Sequence, residues 1–398
     1  MHSRHQAGRQ TTRRQLFVQV ARGLSATALA TGLPREAVEA QANPDATVNL
    51  AEVLEPIRTK YDLPALAACV LKGGKIAGLG ATGVRKYGDK TPVTAGDQFH
   101  LGSCTKAMTS TLCGLLIEAG KLEWDTPLEK HFPELADTMA PAYRQLRLDH
   151  LFAQRTGFSS ESAPQGMSLL EVHRLPGKPR EQRVAYAKRI LQDPPVSEPG
   201  TKFLYSNRNF AVAGMIAERA ADLAWEELIT QKLFQPLGMK SAGFGAMGKP
   251  GKTDQPWQHH LENGKPTPIA PGLLSDNPPA IAPAGTVHCA LGDWAQFILL
   301  HIRGERGEKG LLKPETLQRL HKPLFGGDYT AGWVVTDRNW GGGRVFWHNG
   351  TNTLNYALVW MAPLKDFAVL TATNLGGGAT AQICDEVTGM LIRQFLKP

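Results

Sequence analysis

The strongest signal in the sequence is F-H-L-G-S-C-T-K at residues 99–106, which runs into an apolar stretch, 107–119. The apolar spacing predicts a helix over 107–119. Ser103 and Lys106 are three residues apart, so they share one helical face about one turn apart. A serine hydroxyl needs a base to become a good nucleophile, and a lysine is a base only when its amine is neutral. The pattern is compatible with a catalytic serine–lysine pair, but taken alone it is a weak signal, and a solvated lysine beside a helix-capping serine is the commoner arrangement. The two motifs that follow in the chain change this balance.

Two further motifs follow at a distance. Tyr205-Ser206-Asn207 comes about a hundred residues later, after a Pro-Gly turn signal. W-H-N-G-T at residues 347–351 lies at the end of a predicted strand, 344–348, where a glycine permits close approach of another backbone. These motifs add a phenol, an amide and an imidazole to the serine–lysine pair.

The rest of the chain predicts a sheet built from both chain ends. A hairpin is predicted over 65–83, with the turn signal K-G-G-K at 72–75. Further strands are predicted at 331–336, 344–348, 354–361 and 367–373, and an amphipathic helix closes the chain. Between these ends the sequence predicts helices at 107–119, 209–223 and 225–233, and loops over 245–285.

The expected fold class is α+β. One antiparallel sheet is flanked by helices and carries a large helical insertion domain over 107–275, with the sheet domain formed by 43–106 and 276–398. A cleft between the two parts is the expected site.

Composition excludes several classes of protein. Of the 398 residues, 42% are apolar and 20% charged, which is typical of a globular protein rather than a disordered chain. No stretch reaches the roughly 18 apolar residues of a membrane-spanning helix. Half of the net charge of +8 comes from residues 1–42, with six arginines and two glutamates. The remainder has no basic run, so a nucleic-acid partner is not expected.

Residues 1–42 have the pattern of a targeting segment. T-R-R-Q-L-F at 12–17 resembles the twin-arginine export motif, a modestly apolar stretch follows at 24–33, and A-Q-A at 40–42 offers small residues for cleavage. We therefore predict a twin-arginine-type signal peptide over 1–42 and a periplasmic protein. The alternative is a disordered basic tail on a cytoplasmic protein.

The order of the three motifs resembles that of the penicillin-recognising serine hydrolases, including class C β-lactamases, D-Ala-D-Ala carboxypeptidases, D-aminopeptidases and related esterases. The lead-in 88–106, the segment L-D-H-L-F-A-Q-R-T-G at 148–157 and the P-A-G turn at 283–285 are similar to that family's flanking segments. The resemblance covers nearly all of 50–398. Gln154 stands where the family has a histidine, and the class A motifs S-D-N and K-T-G are Y-x-N and H-x-G here.

The resemblance implies a role for each motif residue. Ser103 is implied as the acylated nucleophile, Lys106 as a participant in accepting its proton, and Tyr205 as the shuttle that carries a proton to the leaving group and the deacylating water. Because Lys106 and Tyr205 would titrate together, the acting base of the two stays open. Asn207 is implied to hydrogen-bond Lys106 and the substrate's amide side chain.

The third motif is implied to bind substrate. His348 occupies the place of a lysine that helps bind a substrate carboxylate, and the backbone N–H groups of Ser103 and of Thr351, which follows Gly350, would form an oxyanion hole. An imidazole with its ordinary pKa near 6.5 is charged only part of the time near neutral pH. We therefore expect the charge of His348 to set substrate preference with pH.

Other polar residues are predicted to be structural. Glu198, before Pro-Gly, is predicted to be a turn residue. His259, His260 and His288 lack the spacing of metal ligands, so they are predicted to be loop histidines and no metal is expected. Cys104 is predicted to be a small buried filler, and none of the five cysteines has disulfide or metal spacing.

The sequence thus predicts an exported serine hydrolase that cleaves an amide, ester or β-lactam bond through an acyl-enzyme. No cofactor is implied, and the partner is a small-molecule or peptide substrate, peptidoglycan fragments included. A non-catalytic scaffold or peptidoglycan-binding module on the same fold is the alternative. Degenerate relatives lose the serine or the lysine, whereas Ser103, Lys106, Tyr205 and Asn207 are all present, which favours the enzyme.

Overall fold

A computed structural model describes residues 47–396, so the signal peptide predicted over 1–42 lies outside the described residues. In this part the strands, numbered in chain order, are β1 Val48–Asn49, β2 Ala65–Lys72, β3 Lys75–Gly83, β4 Phe99–His100, β5 Gly243–Phe244, β6 Gln258–Glu262, β7 Lys265–Ile269, β8 Val287–Cys289, β9 Tyr329–Thr330, β10 Trp333–Arg338, β11 Gly343–Gly350, β12 Tyr356–Ala362 and β13 Phe367–Thr373. The α-helices are α1 Ala51–Lys60, α2 Thr105–Glu118, α3 Leu128–His131, α4 Leu148–Phe152, α5 Leu169–His173, α6 Pro179–Ile190, α7 Asn207–Ala221, α8 Trp225–Ile229, α9 Ala282–Gly285, α10 Leu291–Glu305, α11 Pro314–Leu320 and α12 Thr380–Phe395.

Eight of these strands form one sheet, in the order β1-β3-β2-β13-β12-β11-β10-β9. Neighbouring strands are antiparallel except at one edge, where the two-residue β1 runs parallel to β3. The strands come from the two ends of the described chain, and helices flank them, so the predicted α+β fold is confirmed. The predicted hairpin is β2–β3, and its turn residues Gly73 and Gly74 have φ of 61° and 73°, a conformation that glycine adopts readily.

The sheet has a hydrophobic cluster on each face. Side chains of β2 alternate between them, because successive residues of a strand point to opposite faces: Ala67 and Cys69 belong to the larger cluster, Leu66 and Val70 to the smaller. Helices α1 and α12 pack on the smaller-cluster face, and α10 packs on the other. No helix within residues 47–396 is long and apolar enough to cross a membrane.

One segment differs from the sequence-based expectation. The region 245–285, predicted as loops, contains a two-stranded ribbon of β6 and β7. The strand β7 reads K-P-T-P-I, and its prolines argued against a strand. Pro266 and Pro268 are two residues apart, so the positions that lack N–H groups lie on the same edge of β7. That edge faces away from β6, and the ladder forms without those donors.

A buried ion pair connects helices α6, α7 and α8, and α7 begins within the second motif. Arg183 of α6 donates to Glu218 of α7 and to Glu226 of α8, at 2.6 Å from the nearest oxygen of each. The side chains of Arg183 and Glu218 are both 1% exposed. Each of these two buried charges is stabilised by the other, because an unpaired buried charge is strongly unfavourable. These contacts hold α7, whose first residue is Asn207, against α6 and α8.

Replacing this arginine should cost much stability. We expect Arg183→Met to lower the free energy of unfolding by about 3–5 kcal/mol, since Glu218 is left buried without its partner. The matched control is Arg180→Met on the same helix: Arg180 pairs with Asp222, whose side chain is 90% exposed. That change should cost at most about 1 kcal/mol. Urea unfolding of both variants measures the difference, and equal losses would contradict a structural ion pair at Arg183.

Candidate active site

The predicted nucleophile lies on a tight turn before a helix. Ser103 is the middle residue of a 3₁₀ turn, Gly102–Cys104, that leads directly into α2. Gly102 has φ of 49°, and a Cβ at this position would lie 2.3 Å from the backbone nitrogen of Thr351. The position therefore requires glycine for both its conformation and its close approach to the third motif.

Lys106 lies one helical turn after Ser103 and is fully buried. Its Nζ lies 3.0 Å from Ser103 Oγ, 2.8 Å from Asn207 Oδ1 and 2.8 Å from the carbonyl oxygen of Ala284. The two carbonyl-type oxygens can only accept, so they hold two of the N–H groups. The Ser103 hydroxyl lies beside the same nitrogen. When the amine is neutral, it is close enough to this hydroxyl to take its proton.

The structure brings Tyr205 to the same place. Lys106 Nζ lies 4.8 Å from the centre of the Tyr205 ring. Tyr205 comes just before α7, and the neighbouring Ser206 caps this helix by accepting from the N–H of Arg208. The first two motifs therefore meet around one buried nitrogen.

Gln154 holds the Tyr205 segment in place. Its backbone carbonyl accepts from the N–H of Leu204 at 2.9 Å, and its side-chain Oε1 accepts from the N–H of Ser206 at 2.9 Å and from the Asn209 amide. In the sequence, Gln154 stands out only because it replaces the family's histidine. That replacement is the signal that points to a polar residue tied to the second motif.

Asn207 connects Lys106 to a loop, 159–163, that sequence reasoning did not single out. The Asn207 Nδ2 donates to Ser162 Oγ at 3.0 Å. Ser206 and Arg208 donate to backbone carbonyls of the same loop at 2.6 and 2.9 Å. Three consecutive side chains thus fix this loop beside the lysine. Its polar groups carry no motif of their own, which is why the sequence did not reveal them.

The third motif lies against the nucleophile turn. A Cβ at Gly350 would lie 1.9 Å from the carbonyl oxygen of Leu101 and 2.6 Å from the backbone nitrogen of Ser103. The glycines at 102 and 350 therefore bring the nitrogens of Ser103 and Thr351 into one small region. An oxyanion hole requires two such N–H groups near the reacting carbonyl.

The surroundings of His348 do not fit the expectation that its charge changes near neutral pH. Its side chain is buried, its Nδ1 lies 2.5 Å from the carbonyl oxygen of Asn349, and its Nε2 lies 3.2 Å from the Tyr329 hydroxyl. The carbonyl can only accept, so the ring proton is on Nδ1 and Nε2 accepts from Tyr329. Burial lowers the pKa of His348 to about 3, and the charge that Lys106 carries in its protonated form is the second cause. The expected change of charge near neutral pH is therefore wrong, because desolvation opposes the cation.

The remaining polar residues have structural surroundings. Glu198 is exposed, and its carbonyl accepts from Thr201 in a turn. His259 and His288 place Nδ1 at 3.0 and 2.9 Å from backbone carbonyls, and burial lowers the pKa of both to about 4. Within residues 47–396, histidine, cysteine, aspartate and glutamate side chains form no group of three or more that could hold a metal ion. Cys104 is buried, and burial raises the pKa of its thiol far above the usual range.

Comparison with known proteins identifies the family. The sequence matches the Beta-lactamase family over residues 50–388, so the chain belongs to this family. It is 22% identical over 359 residues to Protein flp of Staphylococcus aureus (strain MW2), covering 87% of this chain and 67% of that protein. It is 25% identical over 259 residues to a β-lactamase of Pseudomonas fluorescens, covering 65% of each.

Solved structures show the same fold. The octameric penicillin-binding protein homologue from Pyrococcus abyssi is similar with a TM-score of 0.69 and 22% identity, covering 86% of this chain and 76% of that one. SurE is similar with a TM-score of 0.68 and 18% identity, covering 85% and 74%. Family membership places the chain among the serine hydrolases of the β-lactamase and penicillin-binding-protein superfamily.

The depressed pKa of His348 predicts a loss of stability in acid. Below pH 6.5 the histidine binds a proton in the unfolded chain, whereas in the folded protein it stays neutral down to about pH 3. The unfolded state therefore binds more protons, and the free energy of unfolding falls as pH decreases through this window. Relative to His348→Gln, the wild type should lose up to about 1.4 kcal/mol per pH unit between pH 6 and 4.

Urea unfolding of the two proteins at several pH values measures this difference. All other titrating groups are common to both proteins, so their contributions cancel to first order. Parallel pH profiles for wild type and variant would contradict a neutral, buried His348.

Proposed function

We propose that this protein is an exported serine hydrolase that forms an acyl-enzyme on Ser103, related in mechanism to class C β-lactamases. The contact that supports the proposal most directly is the 3.0 Å distance between Lys106 Nζ and Ser103 Oγ. The lysine is buried and held by Asn207 and Ala284, so its nitrogen has a fixed position beside the hydroxyl. Activation of serine requires an adjacent group that can take its proton.

In the acylation step, the proton of Ser103 Oγ passes to the pair formed by Lys106 and Tyr205. The oxygen bonds to the substrate's carbonyl carbon, and the carbonyl oxygen becomes negative. The N–H groups of Ser103 and Thr351 stabilise this charge, and each such donor contributes roughly 3–4 kcal/mol to catalysis. The bond to the leaving group then breaks, and the leaving group takes the proton. Either Lys106 or Tyr205 can be the acting base.

Deacylation repeats these steps with water. A water molecule gives one proton to the same pair and bonds to the acyl carbon. The bond to Ser103 Oγ breaks, the serine regains a proton, and the acid product leaves. Tyr205, beside Lys106, is proposed as the group that carries the proton in both steps.

The surroundings of His348 bear on the substrate class. A neutral, buried imidazole provides no fixed positive charge in the third motif. A substrate carboxylate would gain no ion pair from this position, whereas a lysine there would supply one. We therefore propose peptide, D-amino-amide or ester substrates in preference to strong cephalosporinase activity. Hydrolysis rates for D-amino amides, p-nitrophenyl esters and nitrocefin measure this preference.

Ser103→Ala should abolish covalent labelling by a fluorophosphonate and turnover of any accepted ester. The hydroxyl is small, so its loss should cost little stability while it removes the nucleophile. The matched control is Ser110→Ala on the same helix, where the buried hydroxyl donates to the carbonyls of Ala107 and Ala331, away from the nucleophile. Intact-mass spectra should show an adduct on wild type and on Ser110→Ala.

An adduct that persists on Ser103→Ala would remove Ser103 from its proposed role. Binding of peptidoglycan fragments by a wild type that no acylating probe labels would favour the non-catalytic module instead.

Export is proposed from residues 1–42 alone. The double variant Arg13→Lys, Arg14→Lys keeps the positive charge but removes the arginine pair, so it should leave full-length protein in the cytoplasm. The parent chain should be shortened near Ala42. Fractionation followed by mass spectrometry measures both, and unchanged processing of the double variant would count against twin-arginine export.

A further inference from the structure

A buried carboxylate and imidazole lie behind the nucleophile turn, outside the three motifs. His100 of β4 accepts from the N–H of Gly102 through Nδ1, at 3.0 Å. Its Nε2 lies 2.9 Å from Asp276 Oδ1, and the two side chains are 0% and 5% exposed. A nitrogen that accepts an N–H carries no proton, so the ring proton of His100 is on Nε2, the nitrogen beside the carboxylate.

The same carboxylate also reaches the third motif. Asn352 directly follows Thr351, and its Nδ2 donates to Asp276 Oδ1 at 3.0 Å. The Asn352 side chain is buried and accepts from the N–H of Leu354 at 3.2 Å, which ties the amide to its own loop. Asp276 therefore contacts two segments that are separated in sequence by about 250 residues.

These contacts lie next to both proposed oxyanion donors. Gly102 precedes Ser103, and Asn352 follows Thr351. Glycines at 102 and 350 permit the two backbones to approach, but glycine itself restrains rotation of the chain very little. The orientation of the two donor N–H groups needs an outside restraint. The Asp276–His100 pair is a restraint of that kind, because it holds one residue on each side.

We propose that the Asp276–His100 pair positions the oxyanion hole. It does so by holding the nucleophile turn and the loop after β11 in a fixed position relative to each other. This inference rests on the proposed function. Neither residue touches the reacting atoms, so both are positioning residues. Their loss should lower the rate of the chemical step while leaving the initial binding of a small probe nearly unchanged.

Two substitutions separate the contacts of His100. His100→Asn retains an oxygen near the Nδ1 position but cannot reach Asp276, and His100→Gln retains a distant donor but loses the acceptor for Gly102. In both variants the maximal rate of Ser103 labelling by a fluorophosphonate should fall roughly ten- to hundredfold, since small misplacements of reacting groups have effects of this size. The concentration of probe for half-maximal rate should stay nearly unchanged.

The matched control is His288→Asn. His288 pairs with His100 across β4 and β8, is similarly buried, and contacts the carbonyl of Gly245 instead of the nucleophile turn. Its labelling rate should stay within about threefold of wild type. Equal losses in the His100 and His288 variants would mean that labelling reports general damage to the paired strands β4 and β8, and would overturn the proposal.

A second measurement does not depend on activity. Amide hydrogen exchange should accelerate in peptides covering 99–106 and 349–355 of His100→Gln, and in neither peptide of the control. Faster exchange in the 99–106 peptide alone would overturn the proposal, because the pair would then restrain the nucleophile turn without restraining the loop after β11. Asp276→Asn, which keeps the side chain's size, should accelerate both peptides if His100→Gln does not fold. A wild type that no probe labels would refute the proposed hydrolase, while the exchange data would still decide the coupling.

Discussion

The buried amine of Lys106 constrains the rest of the site. An amine without hydrogen-bond partners in an apolar interior is strongly unfavourable, so the fold has to supply acceptors around it. Two acceptors come from places far apart in the sequence, the start of α7 at Asn207 and the short helix α9 at Ala284, and the Ser103 hydroxyl lies beside the same nitrogen. The nucleophile turn, α7 and α9 must therefore be assembled together before the lysine has these partners.

Further contacts make this arrangement specific. Gln154 and the loop 159–163 hold the start of α7, and the buried ion pair of Arg183 with Glu218 holds the same helix further along. The glycines at 102 and 350 allow β11 to approach the nucleophile turn more closely than any side chain would permit. Each of these contacts acts on the position of one motif relative to another.

Much of the fold could be predicted from local patterns. The hairpin β2–β3 follows from its Gly-Gly turn and its apolar strands, and β13 was predicted with the bounds that it has, Phe367–Thr373. The ribbon of β6 and β7 was missed because prolines normally argue against strands, and only the pairing shows that their missing donors face outward. The parallel pairing of β1 could not be inferred, because two residues carry no periodicity.

The sequence by itself determined which chemical groups are available: a serine and a lysine one helical turn apart, a tyrosine, and glycines where backbones must meet. Only the tertiary structure decided the state of these groups. His348 was expected to titrate near neutral pH, but burial and the neighbouring Lys106 hold the pKa of its imidazole near 3. Desolvation and charge interactions depend on atoms that are distant in the chain and close in space. For the same reason, the contact of His100 with Asp276 has no signature in the sequence.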